Sequence, residues 1–394
     1  MRVKLVAIAK DEAAYLPEWI FHHLNVGFDS IDIHINNTTD NTWEIANKLK
    51  TLSSVNFIDS DTYFADGKSF PQEHVYADAL ESARKNKFTH LMYLDIDEFW
   101  IAKDQDISVK DFLKRHPGKN IFSFNWLGKT NEKPFSSIYE EDLKGRTLRQ
   151  VKTLFATHLP ISTVDIHNVY VPDEKYYLAD GRTWDFPQYH KNASAVREPF
   201  FKNKTEDFFV VHRLYRSQKE YISLLLRGRP KRAGNIKSAF KNNRNGYISP
   251  TETKRSETIA ISAFSERHTT FKKWCAKYDL LPDIDAAREL IIKRYNKTLD
   301  TIKMSSSTEL KVLRNLLKYV DDKKALSVFN AYERKAVHGK KIEAAAHLKE
   351  AAISLEQVDL NLAYELICTA QALKPNGPHI AQKKAQYKKL LGIT

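Results

Sequence analysis

The segment Asp95-Ile96-Asp97-Glu98-Phe99 places three acids in four positions directly behind the apolar run Leu91-Met92-Tyr93-Leu94. Two carboxylates two positions apart in extended backbone face the same way. Such a pair suits a hard divalent cation, Mg²⁺ or Mn²⁺, with phosphate oxygens completing the ligand shell. Three crowded acids repel one another unless a cation or hydrogen-bond donors compensate. The chain also contains Asp59-Ser60-Asp61, Asp104-Gln105-Asp106 and Asp283-Ile284-Asp285, but only the Asp95 copy directly follows a strongly apolar strand. Other residues with chemical potential are His212, closing the apolar run Phe208 to Val211; Asp165, beside His167; and Asp185, in Gly181-Arg182-Thr183-Trp184-Asp185. A histidine such as His212 reads equally as a packed core residue, and the two aspartates as ordinary loop acids. The densest basic segment runs from Arg227 through Arg229, Lys231 and Arg232 to Lys237, Lys241 and Arg244.

The elements that must position these groups alternate between strand and helix. Val3 to Ala9 reads as a buried strand, and Leu16, Trp19, Ile20, His23 and Leu24 recur at helical spacing. Ser30 to Asn36 alternates like a half-buried strand, a helix is expected over Thr42 to Leu49 capped by Asp40 or Asn41, and a short strand over Val55 to Ile58. A loop with Gly67 and Pro71 leads to a helix over Gln72 to Asn86 and a strand over Thr89 to Leu94. This alternation predicts an α/β fold with a mostly parallel sheet, whose ligands lie beyond the carboxyl ends of the strands. The loops carrying Asp11 and Glu12, Asn37 to Asp40, and Asp95 to Glu98 should therefore converge on one cleft.

Residues 120–264 are richer in β-like and irregular segments and are expected to form an acceptor side to the donor half at 1–119. From 265 to 394 the text turns helical, and Ala363 to Pro375 resembles half of a tetratricopeptide repeat. No second copy stands 34 residues away, which favours a plain helical bundle.

Composition narrows the class. The chain is 42% hydrophobic with 12 Gly and 13 Pro, which is globular rather than fibrous or low-complexity. Its two cysteines, Cys275 and Cys368, support neither a disulfide framework nor a cysteine metal site and suit a reducing compartment. No apolar stretch reaches a membrane span and no secretion signal is visible, so the expected location is cytoplasmic, with peripheral contact at the inner face of the membrane as an option. A net charge of +13 favours anionic partners such as nucleotide diphosphates or a lipid surface. Nucleic acid has only that charge in its favour and is not expected as a partner.

The N-terminal 230 or so residues resemble the bacterial glycosyltransferase 2-like families related to family 92. The resemblance rests on Lys10-Asp11-Glu12, Leu16-Pro17-Glu18-Trp19-Ile20, His22-His23 and Gly27; on Ile35 to Asp40; on Asp95 to Phe99; and on Val211-His212-Arg213-Leu214-Tyr215-Arg216-Ser217-Gln218-Lys219-Glu220-Tyr221 with Arg227-Gly228. Val211 stands where the family has Asn, Arg216 where it has Lys, and Leu127-Gly128-Lys129-Thr130 replaces a Gly-Ser-Ser-Gly segment. The resemblance implies a GT-A fold and a metal-dependent, inverting glycosyltransferase, here a hexosyltransferase of cell-surface polysaccharide or lipopolysaccharide synthesis. It implies a nucleotide-sugar donor, most simply a UDP-sugar, a glycan or lipid-linked glycan acceptor, and Mn²⁺ or Mg²⁺. Glu12 and Asp40 would lie at the nucleotide, Asp95 near ribose and metal, and Asp97 on the metal, with His212 completing the metal or diphosphate site. Arg227 would meet the donor diphosphate, an anionic acceptor or a membrane. Asp185 and Asp165 are the candidates for the base that deprotonates the acceptor.

Two rivals stand beside this expectation. A metal-dependent phosphohydrolase of the haloacid dehalogenase type also uses Asp-x-Asp, but after its first buried strand rather than its fourth, and followed by Gly-Thr rather than Glu98-Phe99. A non-catalytic basic adaptor with C-terminal helical repeats would bind no nucleotide.

Overall fold

The computed structural model describes the 394-residue chain except residues 66–69, 140–141, 186–193, 199, 228–237, 242, 262 and 394. Gly67 and most of the basic segment, including Gly228, Arg229, Lys231, Arg232 and Lys237, thus lie outside the described residues.

In chain order the N-terminal half contains β1 (Val3–Ala9), α1 (Leu16–Asn25), β2 (Ser30–Ile35), α2 (Thr42–Leu49), β3 (Val55–Asp59), α3 (Pro71–Lys85), β4 (His90–Tyr93), β5 (Glu98–Ala102) and α4 (Val109–Lys114). There follow β6 (Ile121–Lys129), β7 (Leu143–Ala156), β8 (Thr163–Val164), β9 (Val169–Tyr170), β10 (Tyr176–Leu178), β11 (Thr183–Trp184), β12 (Phe208–His212), α5 (Gln218–Leu224), α6 (Pro250–Lys254) and β13 (Glu257–Ile259). The remainder is helical: α7 (Phe264–Lys277), α8 (Leu281–Met304), α9 (Leu310–Leu316), α10 (Lys323–Leu355), α11 (Leu360–Leu373) and α12 (Pro378–Leu390).

The fold is α/β. Its 11-stranded sheet runs β11-β10-β6-β7-β4-β1-β2-β3, with β12 joining β5 to β6 and β13 joining β7. Strands β4, β1, β2 and β3 are parallel, as the β-α alternation requires. Strand β7 adds antiparallel to both β4 and β6, so residues 120–264 extend the same sheet. Along β1, Val3, Leu5 and Ala7 enter the apolar cluster that α1 and α2 cover, while Val6 enters the one that α3 covers. Both faces of β1 are therefore dry, which explains why its sequence is apolar apart from Lys4, whose buried ammonium pairs with Asp32.

Cα packing divides the chain into two units, one of residues 1–241 and 247–296, the other of 242–246 and 297–394. This boundary differs from the one expected at 264. Phe264, Cys275, Leu280, Ile284, Ala287 and Ile291 are buried in the same core as Trp19 and Ile20, so α7 and the first part of α8 belong to the sheet-bearing unit. In the second unit α10, α11 and α12 close around Ala345, Ala352, Ala363, Ile367, Ala370 and Tyr387. Small residues there let the helices approach closely. Helix α10 has 33 residues, about as long as a whole two-helix tetratricopeptide repeat, so the Ala363 to Pro375 likeness does not extend to it.

Leu280→Ala tests the revised boundary. It should cost the sheet-bearing unit about 2–5 kcal/mol in urea unfolding, the range for a fully buried leucine. A loss below about 0.5 kcal/mol, the scale of a neutral surface change, would contradict the placement of residues 265–296 in that core.

Candidate functional site

The three polar loops meet. At the end of β1, Asp11 adopts φ 52°, a left-handed conformation uncommon outside glycine. Its carboxylate accepts from the Thr39 backbone N–H at 2.6 Å and the Thr39 hydroxyl at 3.0 Å, and pairs with Arg294 at 2.9 Å. Asp40 accepts from the backbone N–H groups of Ala13 and Thr42 and from the hydroxyls of Thr38 and Thr42. Its role is therefore to tie the β1 and β2 loops together and to cap α2; those donors occupy both oxygens. Burial raises its pKa above the usual carboxylate range.

Trp19 fixes the third loop. Its indole N–H donates to the carbonyls of Asp95 and Glu98 at 3.0 and 2.8 Å, so a residue that reads as plain core also holds the acidic segment. That segment is a turn rather than extended chain: Glu98 N–H donates to the Asp95 carbonyl at 2.9 Å, and the Glu98 carboxylate accepts from the Asp95 N–H at 2.8 Å. Asp95 and Asp97 consequently face different partners, which corrects the expectation that they point the same way.

Asp95 faces Lys152. The ammonium of this fully buried lysine lies 3.3 Å from Asp95, 3.1 Å from Glu98 and 3.2 Å from the Ile166 carbonyl. Burial alone would lower the Lys152 pKa, but Asp95 and Glu98 outweigh it and hold the ammonium charged. Burial pushes Glu98 up to about 7 despite the opposing lysine. The compensating cation that three crowded acids require is thus supplied in part by the chain itself, from β7.

Asp97 faces His212. Strand β12 pairs antiparallel with β5, setting His212 opposite Glu98, and the Arg213 N–H donates to the Asp97 carbonyl at 2.8 Å. His212 Nε2 stands 3.6 Å from the Asp97 carboxylate, and Trp126 packs on the ring at 4.1 Å. Burial would lower the His212 pKa, but Asp97 raises it more. Asp97 also acts electrostatically on Arg216 and Arg227, both of which pair with Glu12, at 3.1 and 2.5 Å. Arg216 has φ 52° and lays its guanidinium 3.4 Å over the Tyr15 ring.

Among the described residues no group of three or more His, Cys, Asp or Glu side chains could hold an ion by itself. Asp97 and His212 nonetheless fit a divalent cation that takes its remaining ligands from phosphate. They offer one carboxylate oxygen and one imidazole nitrogen toward the same space, and the side chain of Asp97 keeps 25% exposure. Asp95 keeps 36% exposure but shares its carboxylate with Lys152.

The two candidate bases stand apart. Asp165 is exposed and accepts from the His167 N–H at 3.1 Å; its loop is fastened to the site through the Ile166 carbonyl on Lys152 and through His167, whose ring lies 5.2 Å from Trp126. Asp185 is exposed beside edge strand β11, with β10, β6 and β7 between it and β4. The site brings in Asp165 and not Asp185.

Sequence reasoning missed Lys152 and Arg294. A lysine inside Val151-Lys152-Thr153-Leu154-Phe155 was a usable signal, because an apolar strand tolerates a charge only where a partner waits. Arg294 reaches Asp11 across 283 positions and left no local sign. Lys152→Met should destabilise the protein by about 3–5 kcal/mol, because it strands two carboxylates. Adding Glu98→Gln should recover part of that loss in urea unfolding; additive losses would show that the two side chains do not interact.

No family model and no curated protein matches the chain. Solved structures do. The chain is similar to S. aureus TarS 1-349 in complex with UDP, at 15% identity over 40% of this chain and 47% of that one, TM-score 0.26; it thus spans about half of that chain. To TarS 1-349 alone the identity is 11% over 86% and 92%, TM-score 0.29. To a cytidylyltransferase from Leptospira borgpetersenii serovar Hardjo-bovis (strain JB197) it is 10% over 40% and 61%, TM-score 0.22. At TM-scores of this size the chemistry of the site is read from the chain's own residues.

Proposed function

We propose that the protein is a GT-A type glycosyltransferase that moves a hexosyl group from a nucleotide-sugar, most simply a UDP-sugar, to a glycan acceptor with inversion. One observation carries this reading: Asp97, on a turn past the carboxyl end of a parallel strand, stands 3.6 Å from His212, and its charge is felt by Arg216 and Arg227, the two arginines gathered on Glu12. That combination suits a diphosphate. Arginine forks bind phosphate oxygens with two parallel hydrogen bonds, and Arg227 keeps 21% exposure for the purpose. Glu12 holds both guanidiniums in place, so little conformational freedom is lost when the donor arrives.

A divalent cation, Mn²⁺ or Mg²⁺, held by Asp97 and His212 would supply charge neutralisation for the departing diphosphate. The chain's own residues do the rest. Arg216 and Arg227 would take up negative charge on the diphosphate as the bond from the anomeric carbon to phosphate oxygen breaks. The acceptor hydroxyl attacks that carbon from the opposite face and gives its proton to a carboxylate, for which Asp165 is the better placed candidate. Lys152 keeps Asp95 and Glu98 ionically satisfied, so the turn retains its shape while charge moves. Tyr15 braces Arg216 from below and donates to Glu220 at 2.7 Å.

The acceptor fits cell-surface glycans, lipopolysaccharide among them, and the location fits the cytoplasmic face of the membrane; among the described residues no helix is long and apolar enough to cross one.

The test is release of UDP from a panel of UDP-hexoses with Mn²⁺, paired with calorimetry of UDP. Asp97→Asn should keep the fold and lose more than about 100-fold in turnover, the scale of one lost electrostatic contact to the transition state. Arg227→Ala should weaken UDP binding itself. Near-normal turnover of Asp97→Asn would remove Asp97 from the metal site, and absence of UDP binding by the intact protein would remove the nucleotide-sugar reading.

A further inference from the structure

Strand β7 has 14 residues against four in its neighbour β4. β4 pairs with β7 only at residues 154 to 156, and β13 pairs only at 143 to 145. Between them the edge of β7 is met by residues 194–196: Val151 N–H donates to the Ser194 carbonyl at 2.8 Å, and Val196 N–H to the Arg149 carbonyl at 2.7 Å. On its other side β7 is irregular. It is paired at Asn125↔Val151 and Leu127↔Thr147, so it spends four positions where β6 spends two. The extra residues bulge at 148–150, held by the Asn125 amide donating to the Leu148 carbonyl at 3.0 Å. Bulges of this kind re-aim side chains and are over-represented beside active sites.

The bulge opens a cleft of about 950 Å³ lined by Arg146, Arg149, Gln150, Arg197, Phe201 and Asn203, among others. That volume lies in the range of ligand clefts. Three guanidiniums line it against one acid, Glu198. The ion pairs of the described residues include none to Arg146, Arg149 or Arg197, although Arg149 donates to the Val196 carbonyl at 2.7 Å. Arg146 is half-buried and Arg149 and Arg197 are exposed, whereas four more enclosed arginines of this unit are matched: Arg213 by Glu18 and Glu132, Arg216 and Arg227 by Glu12, Arg294 by Asp11. Cations gathered in a concave surface without their acids mark a place where the counter-charge comes from a ligand.

Position ties the cleft to the candidate site. Gln150 is two residues along the chain from Lys152, which contacts Asp95. Because β7 runs antiparallel to β4, the cleft continues past the carboxyl end of β4, the end from which the Asp95 to Glu98 turn emerges.

We propose that this cleft binds the acceptor, and that the acceptor is an anionic glycan, one bearing phosphodiester or carboxylate groups that pair with Arg146, Arg149 and Arg197. Gln150 and Asn203 offer amides to sugar hydroxyls, and Phe201 offers a face for a sugar ring. The cleft's role in the reaction rests on sugar transfer being the activity; its selectivity for anions does not.

Calorimetry on the full chain tests this with four probes: a hexameric glycerol phosphate, hexagalacturonate, neutral maltohexaose and a single-stranded RNA. The intact protein should bind at least one anionic probe at least tenfold more tightly than maltohexaose, and the preferred probe tells phosphate from carboxylate. Arg146→Ala with Arg197→Ala should lower that affinity at least tenfold while UDP affinity with Mn²⁺ and the melting temperature hold. Lys388→Ala with Lys389→Ala, in α12 of the second unit, should change it less than twofold. Equal binding of neutral and anionic probes, full affinity in the arginine variant, an equal loss in the α12 variant, or stronger cleft-dependent binding of single-stranded RNA would overturn the proposal. Failure of the intact protein to bind UDP would instead remove sugar transfer as the activity and leave anion binding by the cleft to be judged on its own arms.

Discussion

The geometry of the candidate site depends on one buried cation. Lys152 projects from the middle of β7 into a space closed on every side and meets Asp95, Glu98 and the Ile166 carbonyl. Replacing a buried ion pair with apolar residues is often neutral or stabilising, so stability alone does not explain a lysine there. Position does. Asp95 and Glu98 belong to the turn that presents Asp97, Ile166 belongs to the loop that carries Asp165, and β7 lies between β4 and β6 in the sheet. A single side chain thereby fixes three pieces of backbone that chain order keeps far apart. With Trp19 gripping the same turn from α1 through two carbonyls, the turn is held from both flanks and Asp97 is left facing outward.

A second layer of ion pairs extends the same logic. Glu12 and Asp11, adjacent at the end of β1, collect Arg216, Arg227 and Arg294 from three distant segments. Asp11 and Arg216 each accept a left-handed backbone to do so, a cost of order 1–3 kcal/mol apiece that surrounding structure must offset. Such strain clusters where placement matters more than stability. The Ser217 and Glu220 capping box at the start of α5 supplies part of the offset, since Glu220 also accepts from Tyr15, which stacks under Arg216.

Much of this was legible in the chain before any coordinates. The strand-helix alternation from Val3 to Leu94 placed β1, α1, β2, α2, β3, α3 and β4 to within a residue or two, because β1, β2 and β4 are largely buried and the periodicity is strong. The Asp95 to Phe99 motif and His212 were visible as chemistry, and the structure sets them opposite each other through the β5 and β12 ladder. What sequence misjudged was local. The acidic segment was read as extended chain, and only the side-chain and backbone bonds of Glu98 turn it. The family resemblance placed Asp40 at the nucleotide; the structure shows that it accepts four hydrogen bonds, which brace the β1 and β2 loops. The domain boundary moved from 264 to 296 because helical periodicity cannot say which core a helix serves. Lys152 and Arg294 act across the fold, and their partners are adjacent only once the sheet has formed.

The central claim, that of the proposed function, is that the Lys152-held turn would present Asp97, with His212, to a metal-bound nucleotide diphosphate that Arg216 and Arg227 also bind. Anomalous diffraction from crystals grown with UDP and Mn²⁺ tests it most directly. The account predicts a manganese peak within about 2.3 Å of an Asp97 oxygen, the distance range for oxygen ligands of hard divalent cations, with the diphosphate on Arg216 and Arg227. Manganese and UDP bound together at any other place on the chain, with Asp97 still facing an empty His212, would contradict it.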